Sequence, residues 1–205
     1  IATDNKPMLY QRGDRYTGFE MELLTLFAKQ AGYAFDIEVV PFESIIAGIS
    51  ANKYDMGASS LNITDERKES VDFSDAYSTF ETVIVVKDDS EHKGEKTLTD
   101  FENATIGVMT GTVDDDFAKE RFPNAKREYY NMISVMMVAV ERKKIGGYLS
   151  ESTYVTAAIW EGAKIQSIDE AIDHTQAAYI FQKSEQSAQL REQLNSFIRA
   201  AKENG

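Results

Sequence analysis

Three short stretches of the 205-residue chain set charged side chains beside backbone groups that could hold a small ion. The first runs Asp55-Met56-Gly57-Ala58-Ser59-Ser60-Leu61-Asn62-Ile63-Thr64-Asp65-Glu66-Arg67. A strand there leads into a polar elbow at Ser60, Leu61 and Asn62, and Thr64 opens a short helix as its N-cap. Arg67, one turn into that helix, can reach back over the elbow. A guanidinium beside free N–H groups fits a carboxylate in bidentate fashion. Asp65, Glu69 and Asp72 offer Arg67 surface ion pairs instead, and spacing alone leaves both partnerships open.

The second stretch is Gly107-Val108-Met109-Thr110-Gly111-Thr112-Val113-Asp114-Asp115. A strand ends at Gly111, Thr112 caps the next helix, and the N–H groups of Thr112 and Val113 stand at its positive end. Three carboxylates, Asp114 to Asp116, already occupy that end and would repel a dianion. A singly charged carboxylate is the better fit to it than phosphate, and an ordinary strand-to-helix turn accounts for the same residues. The third stretch, Gly147-Tyr148-Leu149-Ser150-Glu151-Ser152-Thr153, sets Glu151 at the carboxyl end of a strand, where ligands sit in open α/β sheets. Glu151 there can meet an ammonium group or serve as helix N-terminal decoration. Taken together, the arginine, the two N–H clusters and the lone acid complement a zwitterionic α-amino acid.

Alternating strands and helices would position these groups. Phe19, Leu23 and Phe27 recur at four-residue spacing and predict a helix over Phe19–Ala31, with Thr17 and Glu20 as a capping box and Gly32 as the stop. Phe35, Ile37 and Val39 alternate as a short strand; Ile45, Ile46 and Ile49 mark a helix; Tyr54–Ser59 reads as a strand. The β-branched run Glu81–Val86 predicts one continuous strand, followed by a solvated loop from Lys87 to Lys96. A second alternation follows: strands at Thr105–Met109, Arg127–Tyr130 and Gly147–Leu149, and helices at Asp114–Arg121, Ser134–Arg142 and Ser152–Trp160. Strands at Lys164–Ile168 and Ala177–Phe181 precede a last helix, Gln186–Lys202. The class is α/β with largely parallel sheets. The expected organisation is two lobes, 1–84 with 180–205 and 85–179, joined by a two-strand hinge with a ligand cleft between them.

Composition removes other chemistries. The 34 acidic residues exceed the 22 basic ones by 12, and so negative a chain repels nucleic-acid phosphates and anionic lipid. Cysteine is absent, which excludes thiol catalysis and disulfides. The two histidines, His92 and His174, lie in polar stretches without metal-ligand spacing. No metal and no cofactor is expected. No apolar run approaches the roughly 20 residues that span a bilayer.

Gly18-Phe19-Glu20-Met21-Glu22-Leu23, Lys53-Tyr54-Asp55-Met56, Asn62-Ile63-Thr64-Asp65-Glu66-Arg67, Val71-Asp72-Phe73-Ser74-Asp75-Ala76-Tyr77, Ile106-Gly107-Val108-Met109-Thr110-Gly111-Thr112 and Gly147-Tyr148-Leu149-Ser150-Glu151 follow one another as they do in a known family. Over nearly its whole length the chain resembles the family 3 extracellular solute-binding proteins, the polar amino-acid receptors of ABC importers. The resemblance implies the two-lobed type II periplasmic binding protein fold. It also implies a monomer outside the cytoplasm, with any signal or anchor trimmed away, that hands an amino acid to a membrane permease. Arg67 would hold the ligand carboxylate with the N–H groups of Asn62 and Val113, next to Thr112. Ser60 backbone oxygen, Asn62 and Glu151 would meet the ammonium. Phe42 and the Asn5-to-Tyr10 segment, Tyr10 included, would line the side-chain pocket, and Asp4 and Asp114 would favour a cationic tail.

The chain departs from the family at Glu151 and at Gly146, where Asp is usual, and its Thr3-to-Met8 segment is about two residues shorter. Two other functions suit the same fold: the ligand-sensing domain of a membrane receptor or transporter-fused protein, and a dehydratase using Glu151 as general acid. The second lacks any partner group for acid–base work.

Overall fold

The computed structural model describes residues 1–88 and 97–204. His92 and nearly all of the expected charged loop lie outside the described residues. Two compact units divide the chain, Ile1–Thr79 with Gln176–Gly205 as the first and Phe80–Thr175 as the second.

The first unit opens with a small antiparallel meander of β1 (Asp4–Asn5), β2 (Leu9–Arg12) and β3 (Arg15–Thr17). Strands this short carry too few residues for alternation to show, and the sequence did not reveal them. Helix α1 (Phe19–Ala31) has the expected bounds and ends on Gly32, in the left-handed conformation at φ 77°. Its start differs from the expected capping box: Gly18 is the N-cap, without a side-chain cap. The buried face of α1 is Glu20, Met21, Leu24, Phe27 and Ala28, while Phe19 stays largely exposed. The stripe is rotated from the one expected because the carboxylate of Glu20 points inward.

Residues 33–41 form no strand. Phe35 and Val39 are exposed there, and Ile1 bonds to the segment: its ammonium donates to Glu38 C=O and its C=O accepts from Val40 N–H, each at 2.9 Å. Helix α2 (Ile45–Ser50) buries Ile45 and Ile49. Strand β4 (Met56–Asn62), helix α3 (Asp65–Ser70) and strand β5 (Asp72–Phe73) follow.

The chain enters the second unit within β6 (Ser78–Lys87). Next come β7 (Thr105–Met109), α4 (Asp114–Arg121), β8 (Lys126–Tyr130), α5 (Ile133–Glu141), β9 (Gly147–Glu151) and α6 (Ser152–Trp160). Strand β7 pairs in parallel with β8 and β9, and β9 pairs antiparallel with β6, with Thr82 opposite Glu151. This mixed sheet buries Ile84, Val86, Ile106, Val108 and Leu149 against Phe101, Ala118 and Phe122. The parallel pairs leave the carboxyl ends of β7 and β9 at the starts of α4 and α6.

One strand, β10 (Ile165–Phe181), replaces the two expected at its ends and returns the chain to the first unit. The polar stretch through Asp173 and exposed His174 hid its continuity. Ala177–Phe181 pairs antiparallel with β4 and β5. Leu61 faces Ala178 but Gly57 faces Ile180, so β4 spends more residues than β10 on the same length of ladder. The surplus is a bulge around Ala58–Ser60. Ile180 completes a core with Ile45, Ile49, Leu61 and Val71. The last helix, α7 (Glu185–Asn204), buries Leu194 and Ile198. Its Asn195 Oδ1 accepts from Asp75 N–H at 2.7 Å, and Arg199 pairs with Asp75 at 2.6 Å.

Gly18 has φ 112°, and a Cβ there would lie 2.4 Å from the Met8 carbonyl oxygen. Gly18→Ala should therefore cost roughly 3 kcal/mol or more. A lowered urea midpoint at unchanged m-value is the expected reading.

Candidate functional site

Thr64 caps α3 as the sequence indicates: its Oγ1 accepts from the Arg67 N–H at 3.1 Å. The cap sets Arg67 on the turn nearest the end of β4, and its guanidinium donates to the Asn62 carbonyl at 2.9 Å. The guanidinium carbon also stands 6.0 Å from the ring centre of Phe42, within cation–π range. Two of the carboxylates that could have drawn it away have other partners: Asp65 pairs with Lys68 at 2.8 Å and Asp72 with Arg191 at 2.6 Å. Arg67 thus lies back over the elbow, half-buried, with Phe42 beneath it. Phe42 itself packs on the Ile45–Ile49 core, which fixes the ring.

Ser60 and Asn62 are both buried at the end of β4. Ser60 has φ 49°, a left-handed conformation that costs a residue with a Cβ about 1 kcal/mol or more. Four hydrogen bonds hold this segment. Ser59 Oγ accepts from Ala2 N–H at 2.9 Å and donates to Ala2 C=O at 2.8 Å. The Ser60 N–H donates to both carboxylate oxygens of Glu20, at 3.1 and 3.0 Å. Glu20 Oε1 also accepts from the Tyr77 hydroxyl at 2.6 Å.

Asp4 and Tyr10 form a second pair in the same unit, opposite one another on β1 and β2. Lys6 Nζ lies 4.9 Å from the Tyr10 ring centre. Glu20 links this meander to the elbow, because its own N–H donates to Met8 C=O at 2.9 Å while its carboxylate reaches Ser60. Glu20 is not the cap its place near the helix start suggests. The signal that could have found its true place is its position one turn before Leu24, on the face of α1 that is buried.

The second unit holds the other four residues. Gly111 takes φ 78° and turns the chain into α4. The N-cap is Val113, one residue later than expected, yet Thr112 still serves the helix end: its hydroxyl donates to Met109 C=O at 2.8 Å and accepts from Asp114 N–H at 3.3 Å. The Thr112 N–H also donates to Met109 C=O, at 3.3 Å. The structure therefore commits Thr112 to the turn and sets Val113 N–H at the positive helix end. Asp114 is half-buried in the first turn, and Asp115 is held by Lys119 at 2.7 Å and Arg127 at 3.3 Å. Glu151, half-buried, ends β9 and is the N-cap residue of α6 with no side-chain cap bond. Ser150 before it is buried. Among the described residues no group of three or more His, Asp or Glu is placed to hold a metal, and no helix is long and apolar enough to cross a membrane.

The family described as bacterial extracellular solute-binding proteins, family 3, matches residues 1–205. The arginine-binding extracellular protein ArtP of Bacillus subtilis is 29% identical over 209 residues, covering 100% of this chain and 80% of that protein. A probable histidine-binding protein of Campylobacter jejuni is 26% identical over 205 residues, with 100% and 78% covered. Among solved structures, the substrate-binding protein of an amino acid ABC transporter superposes with a TM-score of 0.89 at 26% identity, covering 100% of this chain and 92% of that one. The arginine-binding protein of T. maritima superposes with a TM-score of 0.88 at 24% identity, covering 98% and 88%. The α/β fold of two units is that of these two-lobed binding proteins.

Burial pushes the Glu20 carboxyl above the ordinary glutamate value, against the opposing pull of the Tyr77 and Ser60 donors. Burial first, and then the Glu20 charge, push the Tyr77 phenol up in turn. An acid whose folded pKa is raised binds more protons folded than unfolded between the two values. Its contribution to stability is then present at low pH and lost as pH rises through that interval. Glu20→Gln removes the titration. Chemical unfolding over a pH series should show the E20Q variant gaining on the parent as pH rises from the ordinary glutamate range, then a constant gap. A gap independent of pH would contradict a raised Glu20 pKa.

Proposed function

Because the chain belongs to the bacterial extracellular solute-binding proteins of family 3, we propose that it binds an α-amino acid outside the cytoplasm and delivers it to the membrane permease of an ABC importer. The observation that carries this reading is the setting of Arg67. Its guanidinium is held by the Asn62 carbonyl and lies over Phe42, at a strand end where a carboxylate is the natural bidentate partner.

In this proposal Arg67 and the N–H groups of Asn62 and Val113 bind the α-carboxylate, with Thr112 holding the turn that aims Val113. The α-ammonium meets the Ser60 carbonyl, the Asn62 side chain and Glu151. Phe42 and Tyr10 supply apolar faces for the ligand side chain, and Asp4 and Asp114 supply negative charge. Those two acids, the net charge of −12 and the arginine- and histidine-binding relatives favour a cationic amino acid. The relatives are binding proteins, and the mechanism proposed here is binding without chemistry, by a monomer.

A thermal-shift screen of the standard amino acids tests the reading. A ligand at about a hundred times its Kd stabilises the folded state by about 2.7 kcal/mol, a shift of roughly 5–10 °C for a chain of this size. Arginine or histidine should give the largest shift, and no response to any amino acid would overturn the proposal. Arg67→Ala should weaken the best ligand by about 3 kcal/mol, roughly a hundredfold in Kd by calorimetry, because it strands a carboxylate. Unchanged affinity would remove Arg67 from the site.

A further inference from the structure

Glu20 is among the most deeply buried groups of the first unit, with no exposed surface, and the proposed binding contacts do not include it. Its donors are a peptide N–H and a phenol, Ser60 and Tyr77. A charge sheltered this far from water is costly unless its lone pairs are filled. What these contacts secure is a backbone conformation. The bulge in β4 takes Ser60 out of register with β10, and φ 49° turns it into the left-handed region. The carboxylate takes the N–H of the displaced residue with both oxygens, and bonds of this charged kind are stronger than neutral ones.

Glu20 is itself held from several directions. Its N–H is bonded to Met8 C=O, the Tyr179 hydroxyl donates to its backbone carbonyl at 3.4 Å, and Tyr77 clamps Oε1. Tyr77 and Tyr179 pack with tilted rings, 4.8 Å between ring centres. The N–H of Ser60 is therefore fixed against an anchored group rather than a mobile one. Fixing that N–H fixes the peptide plane between Ser59 and Ser60, one of the two planes that meet at the left-handed Ser60; the Ser60 carbonyl lies in the other, turned from the first by φ and ψ together.

We infer that Glu20 is a positioning residue for recognition of the ligand α-ammonium, acting through the left-handed Ser60 whose carbonyl receives it. The inference rests on the amino-acid reading above, and adds a residue that never touches the ligand. Loss of the anchor lets Ser60 relax toward an ordinary extended conformation, and its carbonyl turns away from the ammonium. Arg67 keeps its Thr64 cap and the Phe42 ring beneath it, neither of which contacts Glu20, so the carboxylate end of the site loses less than the ammonium end.

Paired ligands make the inference testable. Calorimetric Kd values are measured for L-arginine and guanidinovaleric acid, its analogue without the α-amino group, and for L-histidine and imidazolepropionic acid. The proteins are the parent, E20A and E20Q, each first checked for a cooperative melt. E20A should weaken the amino acid at least tenfold while the matching analogue, which makes no ammonium contact, changes less than threefold. E20Q keeps one acceptor at the same reach and should recover part of the loss, and it decides the matter alone if E20A does not fold. Equal weakening of amino acid and analogue would show a merely structural role and overturn the inference while leaving the amino-acid reading intact. A parent that binds neither amino acid would instead overturn the cationic reading and the inference with it.

Discussion

Moving the Glu20 carboxylate out of water costs several kcal/mol unless its oxygens find donors, and the donors it finds lie 40 and 57 residues further along the chain. That requirement ties the start of α1 to the bulge of β4 and to the segment that leads into β6. It explains why α1 begins on a bare Gly18 instead of a side-chain cap, because the residue that could have closed a capping box is turned into the core. It also explains how Ser60 sustains a left-handed conformation in the middle of a strand. The first unit is thus organised around a polar contact, with its apolar core of Ile45, Ile49, Leu61, Val71 and Ile180 beside it.

The second unit solves a related problem with different means. Parallel pairing of β7 with β8 and β9 makes β7 and β9 run the same way, so both deliver a residue to the start of a helix. At α4 the turn consumes Thr112 on both its N–H and its hydroxyl, and acids fill the first turn. At α6 the N-cap position is held by Glu151.

How much of this the sequence made legible depended on the length and purity of each pattern. Helices α1, α4 and α6 appear within the bounds that apolar spacing and flanking residues predict, and the Thr64 cap places Arg67 correctly. The meander β1–β3 was invisible because its strands are two to four residues long. The segment at Phe35–Val39 alternates convincingly but leaves Phe35 and Val39 in solvent, so alternation there recorded composition rather than burial. At β10 the opposite happened: backbone pairing carried an extended conformation through a polar stretch that no periodicity marks. A glutamate at the start of a helix is usually a cap, and at Glu20 only tertiary contacts, from Ser60 and Tyr77, overrule that preference.

The bounds of β10 have a bearing on how the polypeptide comes to be folded. The ladder that completes β4 and β5 is made by Ala177–Phe181, and α7, which anchors Asp75, comes later still. During synthesis, then, the segment Ile1–Thr79 is made before the strand it must pair with. The strands and helices of Phe80–Thr175 are complete earlier. The intervening unit can fold on the nascent chain while the outer one waits, its pairing delayed by long sequence separation.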